Sequence, residues 1–125
     1  DFVEAKRLSA LIEKADAQHP ALSRLKASIA SSETAVLARA WANDEDMWMR
    51  RLAIISQLGR RDRVDRALLN DVIVPNVPDP EFFIRKAIGW ALRDLARVDP
   101  EWVRDFAGAH DLSPLSRREA LKHVD

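Results

Sequence analysis

Phe82-Phe-Ile-Arg-Lys-Ala-Ile-Gly-Trp-Ala-Leu-Arg93 contains the pattern on which the fold turns, Arg85-Lys-Ala-Ile88. The same pattern, Arg-x-Ala-[Ile/Leu], appears earlier as Arg51-Leu-Ala-Ile54 and later as Arg118-Glu-Ala-Leu121, with starts 34 and 33 residues apart. A large apolar residue precedes each arginine by three positions: Trp48, Phe82 and Leu115. Each period holds two helices. A helical hairpin of that length cannot bury its apolar face alone, so neighbouring hairpins must stack. The expectation is an all-α fold of tandem helical hairpins stacked as an α-solenoid, one domain over residues 1–125.

Working outward, apolar residues keep helical spacing almost everywhere. Phe2, Val3, Leu8, Leu11 and Ile12 mark a first helix, broken by His19-Pro20. Leu22, Leu25 and Ile29 mark a second, with Ser31-Ser32 as an interruption before Val36, Leu37, Ala40 and Trp41. Residues 43–46 read as a loop that caps a helix over 47–58, ended by Gly59. Val64, Leu68, Leu69 and Ile73 form the next helix, and 74–80, with three prolines, is a connector. Asp79-Pro80-Glu81, Asp99-Pro100-Glu101 and Ser113-Pro114 then place a capping side chain before a proline at the first helical position. They predict helix starts near 80, 100 and 114. Ser116 and Glu119 have capping-box spacing, but Ser113 is the better cap.

Composition excludes several chemistries. The chain has 125 residues, no cysteine, and 20 basic against 20 acidic side chains. Cysteine-based metal sites, disulfides and a thiol nucleophile are therefore ruled out. His19, His110 and His123 are isolated at expected helix ends or loops, and there is no Gly-rich phosphate loop and no Ser-His-Asp arrangement. No cofactor is expected. No apolar run approaches the roughly 20 residues of a membrane span, and no signal peptide opens the sequence. A cytoplasmic monomer is the expectation.

Charge is informative only locally. Residues 1–49 carry 6 basic and 8 acidic side chains, whereas 50–125 carry 14 and 12, and six arginines fall between Arg50 and Arg66. A neutral protein with a focused basic face still binds a polyanion. Stacked repeats would align Arg51, Arg85 and Arg118 as a ladder, flanked by Arg50, Lys86 and Arg117. Two uses compete: pairing with acids of the next hairpin to lock the stack, or meeting a row of phosphates. Four tryptophans stand in a chain without tyrosine. Trp48 and Trp102 fall on apolar stripes and are expected in the core. Trp90 follows a mid-helix glycine, Gly89, which costs about 1 kcal/mol relative to alanine and points to close approach by another element. Pattern alone places Trp90 in the core.

Three segments carry a resemblance. Trp48-Met-Arg-Arg-Leu-Ala-Ile-Ile-Ser-Gln-Leu58, Phe82 to Arg93 as quoted above, and Leu112-Ser-Pro-Leu-Ser-Arg-Arg-Glu-Ala-Leu-Lys-His123 closely resemble, in order, the C-terminal half of the AlkD-like DNA alkylation repair glycosylases. The match runs from about Trp41 to the end, and residues 1–40 form a divergent N-terminal repeat. The resemblance implies HEAT-like repeats whose basic concave face holds duplex DNA. It implies excision of cationic N3- and N7-alkylpurines, without a metal and without flipping the lesion into a pocket. Arg51 then matches the family's cleft arginine and Trp90 its cleft tryptophan. Arg93 matches a DNA-contacting arginine, and Arg117, Arg118 and Lys122 fall in a basic C-terminal helix, with Ser116 beside them. Asp1-Phe-Val-Glu4 fits the end of the motif that carries the catalytic aspartate, and Glu4 takes that place. The expected site is thus Glu4, Arg51 and Trp90 for chemistry, with Arg50, Arg85, Lys86, Arg93, Ser116, Arg117, Arg118 and Lys122 for DNA. The rival is a non-catalytic repeat scaffold whose same face binds DNA structures or a protein.

Overall fold

A computed structural model describes residues 32–124, and within them every regular element is helical. The expected helices before residue 31, with Glu4 and His19, lie outside the described residues. Six α-helices follow: α1 (Ser32–Trp41), α2 (Met47–Ile55), α3 (Arg66–Ile73), α4 (Phe82–Ala96), α5 (Pro100–Ala109) and α6 (Pro114–Ala120). Short 3-10 turns at Arg61–Arg63 and Val74–Asn76 connect α2 to α3 and α3 to α4. Among the described residues no helix is long and apolar enough to cross a membrane.

Capping side chains set most boundaries. The Asp46 carboxylate accepts from Trp48 N at 2.8 Å, Asp65 from Leu68 N at 3.1 Å, and Asp99 from Trp102 N at 3.2 Å. Ser113 Oγ accepts from Ser116 N at 3.1 Å and is the cap of α6. Each satisfies a donor with no partner within the helix. Two expected boundaries move. Helix α4 starts at Phe82 rather than near 80, because Asp79 already accepts from Glu81 N and pairs with Arg50. Helix α2 ends at Ile55, and the chain turns through 56–59 to Gly59 at φ 80°.

The hairpins α2–α3 and α4–α5 stack so that α2, α4 and α6 lie side by side, with α1 against α2 and α3 and α5 against α4 and α6. One continuous core runs through the stack, built on Leu52, Ile54, Ile55, Ile73, Ile84, Ile88, Leu92, Leu95 and Val103. At about 25 cal/mol per Å² of apolar surface removed from water, this burial is the main stabilising term.

Polar contacts fix the register. Arg39 pairs with Asp71, 32 residues on, and Arg66 with Asp99 and Lys86 with Glu119, each 33 residues on. The buried Asn76 amide donates to the Ala42 carbonyl, 34 residues back, at 2.9 Å. Every one of these separations is close to one repeat period. A slip of one residue would break all of them together, so the stack has a single register.

Candidate functional site

The 82–93 stretch builds the floor of a cleft. Phe82, Lys86, Trp90 and Arg93 recur at spacings of four, four and three residues, one stripe of an α-helix. With Phe83 beside them they line an open cleft of about 390 Å³, walled on one side by Arg51 of α2 and on the other by Glu119 of α6. Among the described residues, three cations and one carboxylate thus share the cleft with the Trp90 indole.

The two walls differ in kind. On the α2 side, the Arg51 guanidinium lies 5.7 Å from the Trp48 ring centroid, and Trp48 contacts Phe83 at 5.2 Å. Phe82 packs edge-on to Phe83 at 5.5 Å. Both phenylalanines keep much of their surface in water, 50% for Phe82 and 44% for Phe83. Cations over aromatic faces gain about 0.5–1 kcal/mol when exposed, and exposed aromatics beside a cleft are an interaction surface.

The α6 wall is ionic. Glu119 accepts from Lys86 Nζ at 2.9 Å and from Arg93 Nη1 at 3.3 Å, and its side chain is only 18% exposed. The hydrogen bond from Lys86 holds the Glu119 carboxyl below the usual carboxylate range, with the charges of Lys86, Arg93 and Lys122 acting in the same direction and desolvation against. The approach of α6 depends on Gly89. A Cβ there would sit 2.7 Å from Glu119 Cβ and 3.4 Å from Ser116 Cα. The mid-helix glycine serves a close approach, as its position suggested.

The expected site residues separate into groups. Arg51, Lys86, Trp90 and Arg93 meet in the cleft. Trp90 is half-buried, packed against the core on one side and open to the cleft on the other, so the pattern-based assignment to the core is corrected. Trp48 and Trp102 are also only half-buried, Trp48 against Phe83 and Trp102 stacked on Phe106. The ladder Arg51–Arg85–Arg118 does not form in the cleft, since Arg85 and Arg118 do not line it. Arg85 lies one residue off the cleft stripe, donates to the Pro80 carbonyl at 3.1 Å and rests over Phe82.

Three further expected residues take partners within the fold. Arg50 pairs with Asp79 at 2.8 Å and donates to the carbonyls of Asp44 and Glu45, which makes it a tie between repeats. Ser116 is 1% exposed and donates to the Arg85 carbonyl at 2.7 Å, a packing role that leaves no surface for a ligand. Arg117 donates to the carbonyls of Ala107 and His110 at the end of α5. Arg118 and Lys122 are exposed outside the cleft lining. Phe82, Phe83 and Glu119 are the cleft residues that sequence reasoning missed. Among the described residues no group of histidines and carboxylates is arranged to hold a metal ion.

With this geometry in hand, the comparisons are specific. A family model described as DNA alkylation repair enzyme matches residues 8–124. The structure superposes with a TM-score of 0.74 on a predicted DNA alkylation repair enzyme from Enterococcus faecalis, at 28% sequence identity. The superposition covers 98% of this chain and 60% of that one, so the chain spans about three fifths of its neighbour's length. Comparison with curated proteins gives no significant match. A match over nearly the whole chain, joined to the same helical architecture, leads to one conclusion: this chain belongs to the DNA alkylation repair enzyme family.

Proposed function

We propose that the cleft grips duplex DNA and that the protein acts as a glycosylase on cationic N3- and N7-alkylpurines. The observation that carries this reading is the convergence of Trp90 with Arg51, Lys86 and Arg93 on one open cleft. The cations suit flanking phosphates, for which arginine offers a bidentate fork. The indole suits a positive partner, through a cation–π attraction of about 0.5–2 kcal/mol.

The chemistry asked of the site is modest. Alkylation at N3 or N7 leaves the purine positively charged, which weakens its glycosidic bond. The departing base takes the bonding electron pair, and the sugar develops oxocarbenium character at C1′. Water then adds to C1′ and releases a proton. A carboxylate near the sugar stabilises the positive charge or orients that water. Glu4 is the proposed carboxylate, by its likeness to the family motif.

A second reading has its own support. Glu119, the one carboxylate lining the cleft among the described residues, is already held by Lys86 and Arg93. This arrangement favours grip over chemistry and suits a DNA-binding scaffold. Excision of 7-methylguanine from duplex DNA separates the two. The glycosylase reading expects base release by the wild type, with losses of about 10²-fold in Trp90→Ala and Glu4→Gln at unchanged helical content. Tight DNA binding without any base release would overturn it in favour of the scaffold.

A further inference from the structure

We propose that the loop 59–66 is a second contact for the DNA backbone, with Arg61 and Arg63 each meeting a phosphodiester of the duplex held in the cleft. The inference rests on the DNA reading and extends it to residues outside the cleft. Four observations carry it.

The loop is built to be rigid. Arg60 O accepts from Arg63 N at 3.1 Å, and Arg61 O accepts from Val64 N at 3.2 Å. Arg66 donates to the carbonyls of Asp62 at 3.0 Å and Val64 at 2.7 Å, while its remaining donors hold Asp99. The Gln57 amide exchanges hydrogen bonds with Asp65 N and O at 2.8 and 3.1 Å. The loop backbone is thus held at several points by its own turns and by the Gln57 and Arg66 side chains.

Those side chains are basic and outward. Arg61 and Arg63 are exposed, and neither guanidinium makes a hydrogen bond or ion pair among the described residues. Asp62 is the lone acid between them. Arg66, the first residue of α3, is held by Asp99 and two carbonyls, so it fastens the end of the loop while Arg61 and Arg63 are presented by it.

The presentation carries strain. Arg61 sits at φ 59°, a left-handed conformation that residues with a Cβ rarely adopt. Like charges are also crowded: burial first, and then the neighbouring Arg63, push the Arg60 guanidinium below its ordinary value. A bound anion relieves that repulsion.

The loop is fastened to the helix that floors the cleft. Gly59 N donates to Asp94 Oδ2 at 2.7 Å, near the C-terminal end of α4. A duplex lying along the cleft floor continues past this anchor, with a phosphate charge about every 1.7 Å of its axis.

The test compares wild type with Arg61→Ala/Arg63→Ala on undamaged duplex DNA over a range of salt. Each lost phosphate contact removes about 0.9 from the slope of log affinity against log salt. The double variant is expected to bind on the order of tenfold more weakly, with the slope shallower by about 1.8. Arg61→Lys/Arg63→Lys is expected to restore most of the slope, which a purely structural role would not do. Wild-type affinity and slope in the alanine variant would overturn the loop contact and leave the cleft reading intact. Failure of the wild type itself to bind at low salt would refute the DNA reading, and the loop contact with it.

Discussion

Helix α4 meets a different kind of neighbour on each side. Toward α6 the contact is close and ionic: Gly89 admits α6, and Lys86 and Arg93 converge on Glu119. Toward α2 it is aromatic: Trp48 lies against Phe83, with Arg51 over the indole. The α6 side spends its cations on holding two repeats together. On the α2 side that work falls to Arg50, through Asp79, and the adjacent Arg51 is aimed into the cleft. Side chains one position apart on a helix point about 100° apart, so neighbours in sequence serve separate ends. The lesson is that a basic stretch in a repeat protein contains both fasteners and presenters, and geometry sorts them.

The largest expected effect comes from closing the α4–α6 approach. Gly89→Val drives a branched side chain into Glu119 Cβ and Ser116. Overpacking of this kind costs about 3 kcal/mol, read as a lower urea midpoint with the slope of the transition retained. Unchanged stability would mean that α6 is not seated as described. Next, Arg50→Ala removes a half-buried tie that also satisfies two carbonyls. A loss of about 2 kcal/mol is expected. Unchanged stability would show that Arg50 does not tie the repeats together.

A smaller effect concerns pH. The carboxyls of Glu119 and Asp71 are held below their ordinary values, mainly by hydrogen bonds from Lys86 and Arg39. A lowered carboxyl stabilises the fold fully above the unfolded value, about 4, and that contribution is lost as pH falls through the folded value. Urea midpoints should therefore hold steady from pH 7 to about 5 and fall below about 4. Glu119→Gln should fall less steeply over that acidic interval than wild type. An identical acid limb in both proteins would show that the α6 wall is not ionically held.

The smallest stability change is expected at Arg61→Gly. Relief of the left-handed strain, about 1 kcal/mol, is offset by about 0.5–1 kcal/mol of added chain entropy. The fold should be near neutral to this change while the proposed loop contact weakens. A large loss of stability would place Arg61 among the fasteners.

Much of this was legible in the sequence. The repeat of Arg-x-Ala-[Ile/Leu] at 34 and 33 residues marked equivalent helices, and α2, α4 and α6 do lie side by side. Asp46, Asp99 and Ser113 cap the helices assigned to them, because a capping side chain acts within a few residues of itself. What failed was the assumption that equivalent arginines point alike. Arg85 folds back on Phe82 and Pro80, and its place in the cleft falls to Lys86. Helix pattern fixes a stripe only to within one residue, and one residue decides between cleft and flank. Glu119 was missed because it was weighed only as a local cap. The signal that would have found it is opposite charge one period apart: Lys86 and Glu119 are separated by 33 residues, as are Arg66 and Asp99.

The central proposal is that α4 and its two neighbours form a groove for a double helix. Affinity for duplex DNA against salt, measured for wild type and for Arg51→Glu/Lys86→Glu, tests it most directly. Four to six neutralised phosphates predict a wild-type log–log slope of about −4 to −5, and charge reversal in the cleft predicts loss of binding even at about 50 mM salt. A wild-type protein indifferent to salt, or a reversed cleft that binds as tightly as the original, would contradict it.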